Sequence, residues 1–126
     1  MEAVCIDPSA TTPKVTFVPE KGLFELSGLS YPENSVAFFL PVKKRLLEML
    51  AMSDGPFTAN FRLDYFNTSS SKSILELLEI LDRHHQHYKN VKVNWLYAED
   101  DEDMRDNGLD YRTDLTVPFE VLPESR

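Results

Sequence analysis

The chain has 126 residues and a mass of 14.5 kDa, the size of one ordinary domain, which buries about two-thirds of the surface its unfolded form exposes. Hydrophobic residues make up 42% and charged residues 27%, with eight Phe, five Tyr and one Trp; that composition supplies a packed core and excludes global disorder. The formal net charge is −8, and an acidic chain without a basic patch is poorly suited to nucleic-acid backbones or anionic membrane surfaces.

Residues 1–13 are rich in small residues and proline and read as a flexible tail, followed by a single domain over 14–123. The start has no basic cluster and no long apolar stretch, so no signal peptide is expected. The longest apolar run, Val36 to Leu40, is far too short for membrane insertion. Cys5, the one cysteine, cannot close an internal disulfide, which agrees with a reducing, cytoplasmic setting.

Lys14 to Val18 suits a strand, and Pro19-Glu20-Lys21-Gly22 followed by the alternating Leu23 to Ser27 predicts a hairpin. Ser30-Tyr31-Pro32-Glu33 reads as a helix start: Ser30 caps, Pro32 fits an early position and Glu33 completes a capping box. The helix should run towards Met52 with Val36, Phe39, Leu40, Leu46, Leu47 and Leu50 inward, and Pro41 should kink or restart it. Ser53-Asp54-Gly55-Pro56 ends it.

Phe57 to Phe66 is the clearest strand, with Phe57, Ala59, Phe61, Leu63 and Tyr65 on one face. A second helix follows Asn67, with a stripe of Ile74, Leu77, Leu78 and Leu81, and ends near Tyr88. Val91 to Tyr97 alternates as another strand, and Leu115 to Leu122 forms the last, at an edge because of Pro118. Strand, helix, strand implies a right-handed parallel crossover. Strands apolar on one face imply helices on one side. The expected fold is α/β, a two-layer domain with a mixed sheet and its helices mainly on one face.

Functional groups in such sheets gather where strands end and helices begin. Three segments should meet there: Ser30 to Asn34, Asn67 to Lys72, and Glu99 to Asp103. The second is the most unusual, with five Ser or Thr among residues 68–73. Capping by Thr68, Ser69 or Ser70 accounts for one hydroxyl. Reversible phosphorylation is the functional reading: a phosphate adds about −1.5 to −2 charges, which the helix amino terminus tolerates. Lys72, one turn on, can pair with it or stay solvated.

Glu99 to Asp114 holds eight acids and two arginines. Its start could take a hard cation or be a solvated loop; the spacing does not fit a Ca²⁺ loop, since Arg105 stands where an acid is needed. His84, His85 and His87 near a helix end are ordinary cations there, though His84 and His87 could share a face and bind metal weakly. No nucleophile–base set can be assembled, and four glycines form no phosphate loop. The chain reads as non-enzymatic, without cofactor or metal.

Four separated motifs, Ser30-Tyr31-Pro32-Glu33-Asn34, Tyr65-Phe66-Asn67-Thr68-Ser69-Ser70-Ser71-Lys72, Trp95-x-Tyr97 and Asp100-Asp101-Glu102-Asp103-Met104, resemble in order the SiaC family of bacterial regulatory phosphoproteins. The resemblance spans about residues 13 to 123 and implies a STAS-like fold related to anti-sigma factor antagonists, with Thr68 as phosphoacceptor. It also implies a GHKL-type kinase, a PP2C-type phosphatase, and an unphosphorylated form that binds and activates a diguanylate cyclase, promoting cyclic di-GMP synthesis and biofilm formation. Tyr31, Pro32, Glu33, Asn34, Asn67, Ser69, Ser70 and Lys72 are the expected partner contacts. Two other readings stand beside it: a switch acting on an anti-sigma factor, and a metal-dependent phosphohydrolase using Asp100, Asp101 and Asp103.

Overall fold

The computed structural model describes residues 1–126. The order is β1 (Val4–Ile6), β2 (Lys14–Val18), β3 (Leu23–Ser30), α1 (Ser35–Met52), β4 (Phe57–Phe66), α2 (Thr68–Tyr88), β5 (Val91–Ala98), α3 (Glu102–Thr113) and β6 (Phe119–Glu124). One six-stranded sheet contains the strands in chain order. β1, β2 and β3 pair antiparallel, and β3 through β6 run parallel. Successive right-handed crossovers between neighbouring parallel strands carry α1, α2 and α3 to the same face, giving the expected mixed, two-layer α/β arrangement.

The covered face of the sheet is apolar. Phe24 and Leu26 of β3, Phe57, Ala59, Phe61 and Leu63 of β4, and Val93 and Trp95 of β5 are buried there against Phe39, Val42 and Leu46 of α1 and Ile74, Leu77, Leu78 and Leu81 of α2. The opposite face carries Thr16, Glu25, Asn60, Arg62, Lys92 and Asn94 and remains open to solvent. Trp95 stacks on Phe61 at 5.9 Å, has Tyr111 and Phe119 beside it, and donates its indole N–H to the Met104 carbonyl at 3.0 Å.

Several elements depart from what the sequence predicts. Val4–Ile6, expected in a flexible tail, adds an edge strand antiparallel to β2, and the Thr11 carbonyl accepts from the Tyr31 N–H at 2.8 Å. Helix α1 does not start at Ser30, which closes β3 instead. The residue before a proline disfavours helix, so Tyr31 stays outside, and Asn34 caps by accepting from the Ala37 N–H at 3.0 Å. Pro41 does not restart the helix, which is one element to Met52.

The buried stripe of α1 is Ser35, Phe39, Val42, Leu46, Met49 and Leu50, so Val36, Leu40 and Leu47 are exposed rather than inward. Apolar residues on both sides of this helix leave two phases open, and the one with the longer continuous stripe is buried. The last strand begins at Phe119, not Leu115. Buried Asp82 accepts from the Thr116 and Val117 N–H groups at 2.8 and 2.7 Å, which holds the preceding segment as a loop against α2.

The acidic segment is a loop only at its start: Glu99 and Asp100 form a turn, and the rest folds as α3, capped by Asp101 through the Met104 N–H at 3.0 Å, with Glu102 and Asp103 in the first turn where the helix dipole favours acids. Gly108 lets this helix lie on Trp95: a Cβ there would overlap the indole ring. Gly108→Ala should therefore destabilise the domain by about 1–3 kcal/mol despite alanine's better helix propensity. Urea unfolding followed by the fluorescence of Trp95 measures this; an unchanged or higher midpoint would contradict the packing account.

Candidate functional site

β3, β4 and β5 are parallel and adjacent, so their carboxyl ends, at Ser30, Phe66 and Ala98, share one edge, and α1, α2 and α3 begin there. The Asn67 N–H donates to the Ser30 carbonyl at 3.0 Å, binding the turn after β4 to the end of β3. The Ser30 and Ser70 hydroxyls lie 2.8 Å apart, and that of Ser35 lies 2.7 Å from Ser69 and 3.3 Å from Ser70. The third segment stands at the next strand end. It joins the cluster through α3, whose Tyr111 hydroxyl donates to the Ser71 carbonyl at 2.8 Å and lies 3.1 Å from the Ser71 Oγ. Burial pushes the Tyr111 phenol above its ordinary pKa, against the opposing hydrogen bond with Ser71.

The hydroxyls of residues 68–73 divide by environment. The helix cap is Asn67, whose Oδ1 accepts from the Ser70 N–H at 2.9 Å, rather than Thr68, Ser69 or Ser70. Ser70 and Ser73 are buried. Ser69 is bound to Ser35 and donates to Asn67 at 3.2 Å, and Ser71 is bound to Tyr111. Thr68, the first residue of α2, is exposed and its hydroxyl makes no hydrogen bond within the chain. Lys72, one turn on, is also exposed.

Of the other expected contacts, Tyr31, Glu33, Asn34 and Ser69 are exposed and Asn67 is half-buried, whereas Pro32 and Ser70 are buried in the free protein. Packing takes Pro32 inward, and the hydroxyl cluster takes Ser70. Tyr65, expected in the core, is exposed. A bulge explains it: Gly28 pairs with Leu63 and Leu29 with Tyr65, so Asp64 is an extra residue on β4 and the alternation inverts after it. Gly28, at φ 100°, takes the backbone conformation this register shift needs. Phe66 turns inward against Trp95 and Tyr111. Tyr65 turns outward to meet the Tyr31 ring edge-on at 6.0 Å, beside exposed Leu29. No pattern of alternation in the sequence marks this patch; the glycine at 28 is its one trace.

Asp100, Asp101 and Asp103 assemble no metal centre: no group of three or more His, Cys, Asp or Glu side chains is placed to hold an ion, and Asp101 is spent on capping. His85 is structural, its Nδ1 accepting from the Val91 N–H at 3.1 Å. No helix is long and apolar enough to cross a membrane.

Comparison with known proteins points to one family. The family model for SiaC family regulatory phosphoproteins matches residues 6–124. An uncharacterised protein of Pseudomonas aeruginosa (strain UCBPP-PA14) is 31% identical over 121 residues, 96% of each chain. Among solved structures, apo-SiaC from Pseudomonas aeruginosa superposes with a TM-score of 0.88 at 30% identity, over 97% of this chain and 99% of that one. The structure of the diguanylate cyclase SiaD in complex with its activator SiaC, from the same organism, contains a chain matching with a TM-score of 0.90 at 30% identity, over 96% of this chain and 99% of that one.

Two substitutions separate the cap from its neighbour. Asn67→Ala should lower the unfolding free energy by about 1–2 kcal/mol, whereas Thr68→Ala should change it by less than about 0.5 kcal/mol. Denaturant unfolding of both variants checks this; loss of the fold in Thr68→Ala would make Thr68 a structural cap.

Proposed function

Because the chain belongs to the SiaC family of regulatory phosphoproteins, we propose that it is a non-enzymatic partner switch whose phosphoacceptor is Thr68 and whose effector is a diguanylate cyclase. The observation that carries the assignment is the sorting of the hydroxyl cluster: Thr68 is exposed and unbonded, while Ser69, Ser70, Ser71 and Ser73 are bonded or buried. A kinase needs a free, accessible hydroxyl, and this edge offers it at Thr68. The likeness to a protein crystallised as the activator of a diguanylate cyclase supports the effector. A GHKL-type kinase and a PP2C-type phosphatase, acting in a cytoplasmic setting, complete the cycle that the family resemblance implies.

The physical basis of switching is the contrast between two neighbours. Leu29, Tyr31 and Tyr65 present an exposed apolar and aromatic patch at the strand ends, the kind of surface that anchors protein interfaces. Thr68 follows Tyr65 by only three positions. A phosphate there brings about two negative charges, which a partner covering the patch would have to desolvate. Within the free protein, the Thr68 and Ser69 N–H groups at the helix start have no intrahelical acceptor, so the fold accommodates the modification. Exposed Lys72 adds a cation one turn away.

Titration of a cognate diguanylate cyclase with unmodified and enzymatically phosphorylated protein tests the switch. Phosphorylation should weaken binding by about 1–3 kcal/mol and reduce cyclic di-GMP synthesis, and Thr68→Ala should bind and activate whether or not the kinase is present. Equal affinity of the two forms would overturn the proposal. Tyr65→Ala should weaken binding by about 1–3 kcal/mol with the unfolding midpoint nearly unchanged, because the ring is exposed; undiminished binding would move the interface elsewhere.

A further inference from the structure

The sheet splits at its carboxyl edge. β4 and β5 are paired only as far as Phe61 and Trp95, although β4 continues to Phe66 and β5 to Ala98. Beyond that point β4 keeps its pairing with β3, and β5 keeps its pairing with β6. One side chain spans the gap. Arg126, two residues past the end of β6, donates to the Asp64 carboxylate of β4 at 2.6 Å, to the Leu96 carbonyl of β5 at 2.9 Å and to the Glu124 carboxylate of β6 at 3.0 Å. The Leu96 carbonyl lies beyond the last residue pair of β4 with β5, so the guanidinium satisfies an acceptor that the ladder has left behind. The Arg126 side chain is only 21% exposed, which lays it on the sheet instead of free in solvent.

Asp64 is the extra residue of the bulge: Leu63 pairs with Gly28 and Tyr65 with Leu29, and the Asp64 carboxylate has no partner but Arg126. Tyr65 comes next in the chain. A return of β4 to regular alternation would send Tyr65 inward and Phe66 outward. The bond from the Asn67 N–H to the Ser30 carbonyl holds the end of β4 beyond the bulge; Arg126 holds the bulged residue itself. A planar fork of donors can meet three acceptors at once, which a lysine ammonium does not reproduce. We infer that Arg126 is a positioning residue for partner binding: by clamping Asp64 in the bulge it keeps Tyr65 outward against Tyr31, in the pose a partner meets. The inference rests on the reading of Leu29, Tyr31 and Tyr65 as the surface a partner covers. Exposed ion pairs add little to global stability, so the clamp governs the pose of one ring and not the unfolding midpoint.

Proton NMR of the full chain reads the pose directly, through cross-relaxation between the Tyr31 and Tyr65 rings, whose centroids lie 6.0 Å apart. Titration against a cognate diguanylate cyclase reads its consequence. Arg126→Gln should diminish the ring-to-ring signal in the free protein and weaken cyclase binding by about three- to tenfold, with the unfolding midpoint nearly unchanged. Arg126→Lys, which keeps the charge and loses the fork, should do the same. Asp64→Ala should match them, and adding Arg126→Gln to Asp64→Ala should weaken binding no further, since both act through one contact. An undiminished Tyr31–Tyr65 signal in Arg126→Gln would overturn the inference, as would full affinity in that variant while Tyr65→Ala binds weakly. Affinity restored in Arg126→Lys without the ring signal would assign the effect to charge alone, and additive losses in the double variant would assign it to separate routes; either overturns the positioning role. Full affinity in both Arg126→Gln and Tyr65→Ala would place the partner elsewhere and remove the patch reading together with this role.

Discussion

The edge that carries Thr68 depends on a hydrogen bond between two buried serines. Ser30 closes β3 and Ser70 sits in the first turn of α2, forty residues later, with their hydroxyls 2.8 Å apart and both fully buried. Each satisfies the other, so neither can be made apolar alone without stranding a polar group in the interior. Ser35 joins them from α1, so one polar cluster fixes the relative positions of a strand end and two helix starts. Orientation follows from that anchor. At 100° per residue, Thr68 stands about 200° around the helix from Ser70, so burying Ser70 turns Thr68 outward. The cap at Asn67 completes the arrangement by taking the Ser70 N–H, which leaves the Thr68 hydroxyl with no structural task.

The open face of the sheet is polar and largely self-neutralising. Arg62 donates to Glu124 at 2.6 Å and to Glu25 at 3.4 Å, and Arg126 bridges Glu124 at 3.0 Å and Asp64 at 2.6 Å. Burial pushes the Glu124 carboxyl up, but the hydrogen bonds and charges of Arg62 and Arg126 outweigh it and hold the group below its usual range. Pairs this exposed contribute little stability individually. Their consequence is specificity: a face of alternating charges wets well and leaves Leu29, Tyr31 and Tyr65 as an apolar break at its carboxyl edge. The bulge at Asp64 creates that break and at the same time offers the Asp64 carboxylate to Arg126.

Legibility in the sequence followed the strength of local periodicity. The bounds of β2 and β4 are readable to the residue, because one-sided burial writes a period of two into Lys14–Val18 and into β4 as far as Leu63. The stripe of α2 was equally plain. α3 was hidden because it buries only Met104 and Gly108: with no stripe, its acids looked like solvated charge, although Asp101, Glu102 and Asp103 are the ordinary start of a helix. β1 has three residues and exists by pairing, which no local pattern announces. Local pattern marks Thr68 only as part of a cluster, and the family resemblance alone singles it out, since its distinction from Ser69 and Ser70 rests on contacts with Ser30 and Ser35. Tyr65 was misplaced for a related reason. A single inserted residue inverts every face after it, and only the neighbouring strand's register reveals the insertion.

These features separate the energetics of folding from those of binding. The core, the serine cluster and the Asn67 cap carry the fold, and none of them contains Thr68 or the exposed rings of Tyr31 and Tyr65. A charge added at Thr68 would fall where the helix dipole already favours anions, so its cost to the folded state is small. The same charge would lie beside a patch whose usefulness to a partner depends on excluding water, where desolvating it is expensive. A switch requires that asymmetry: a modification nearly neutral for one equilibrium and strongly unfavourable for the other. A phosphate at Thr68, the first residue of a helix, turned away from a buried anchor and next to an apolar surface, would meet the requirement without any conformational change in the domain.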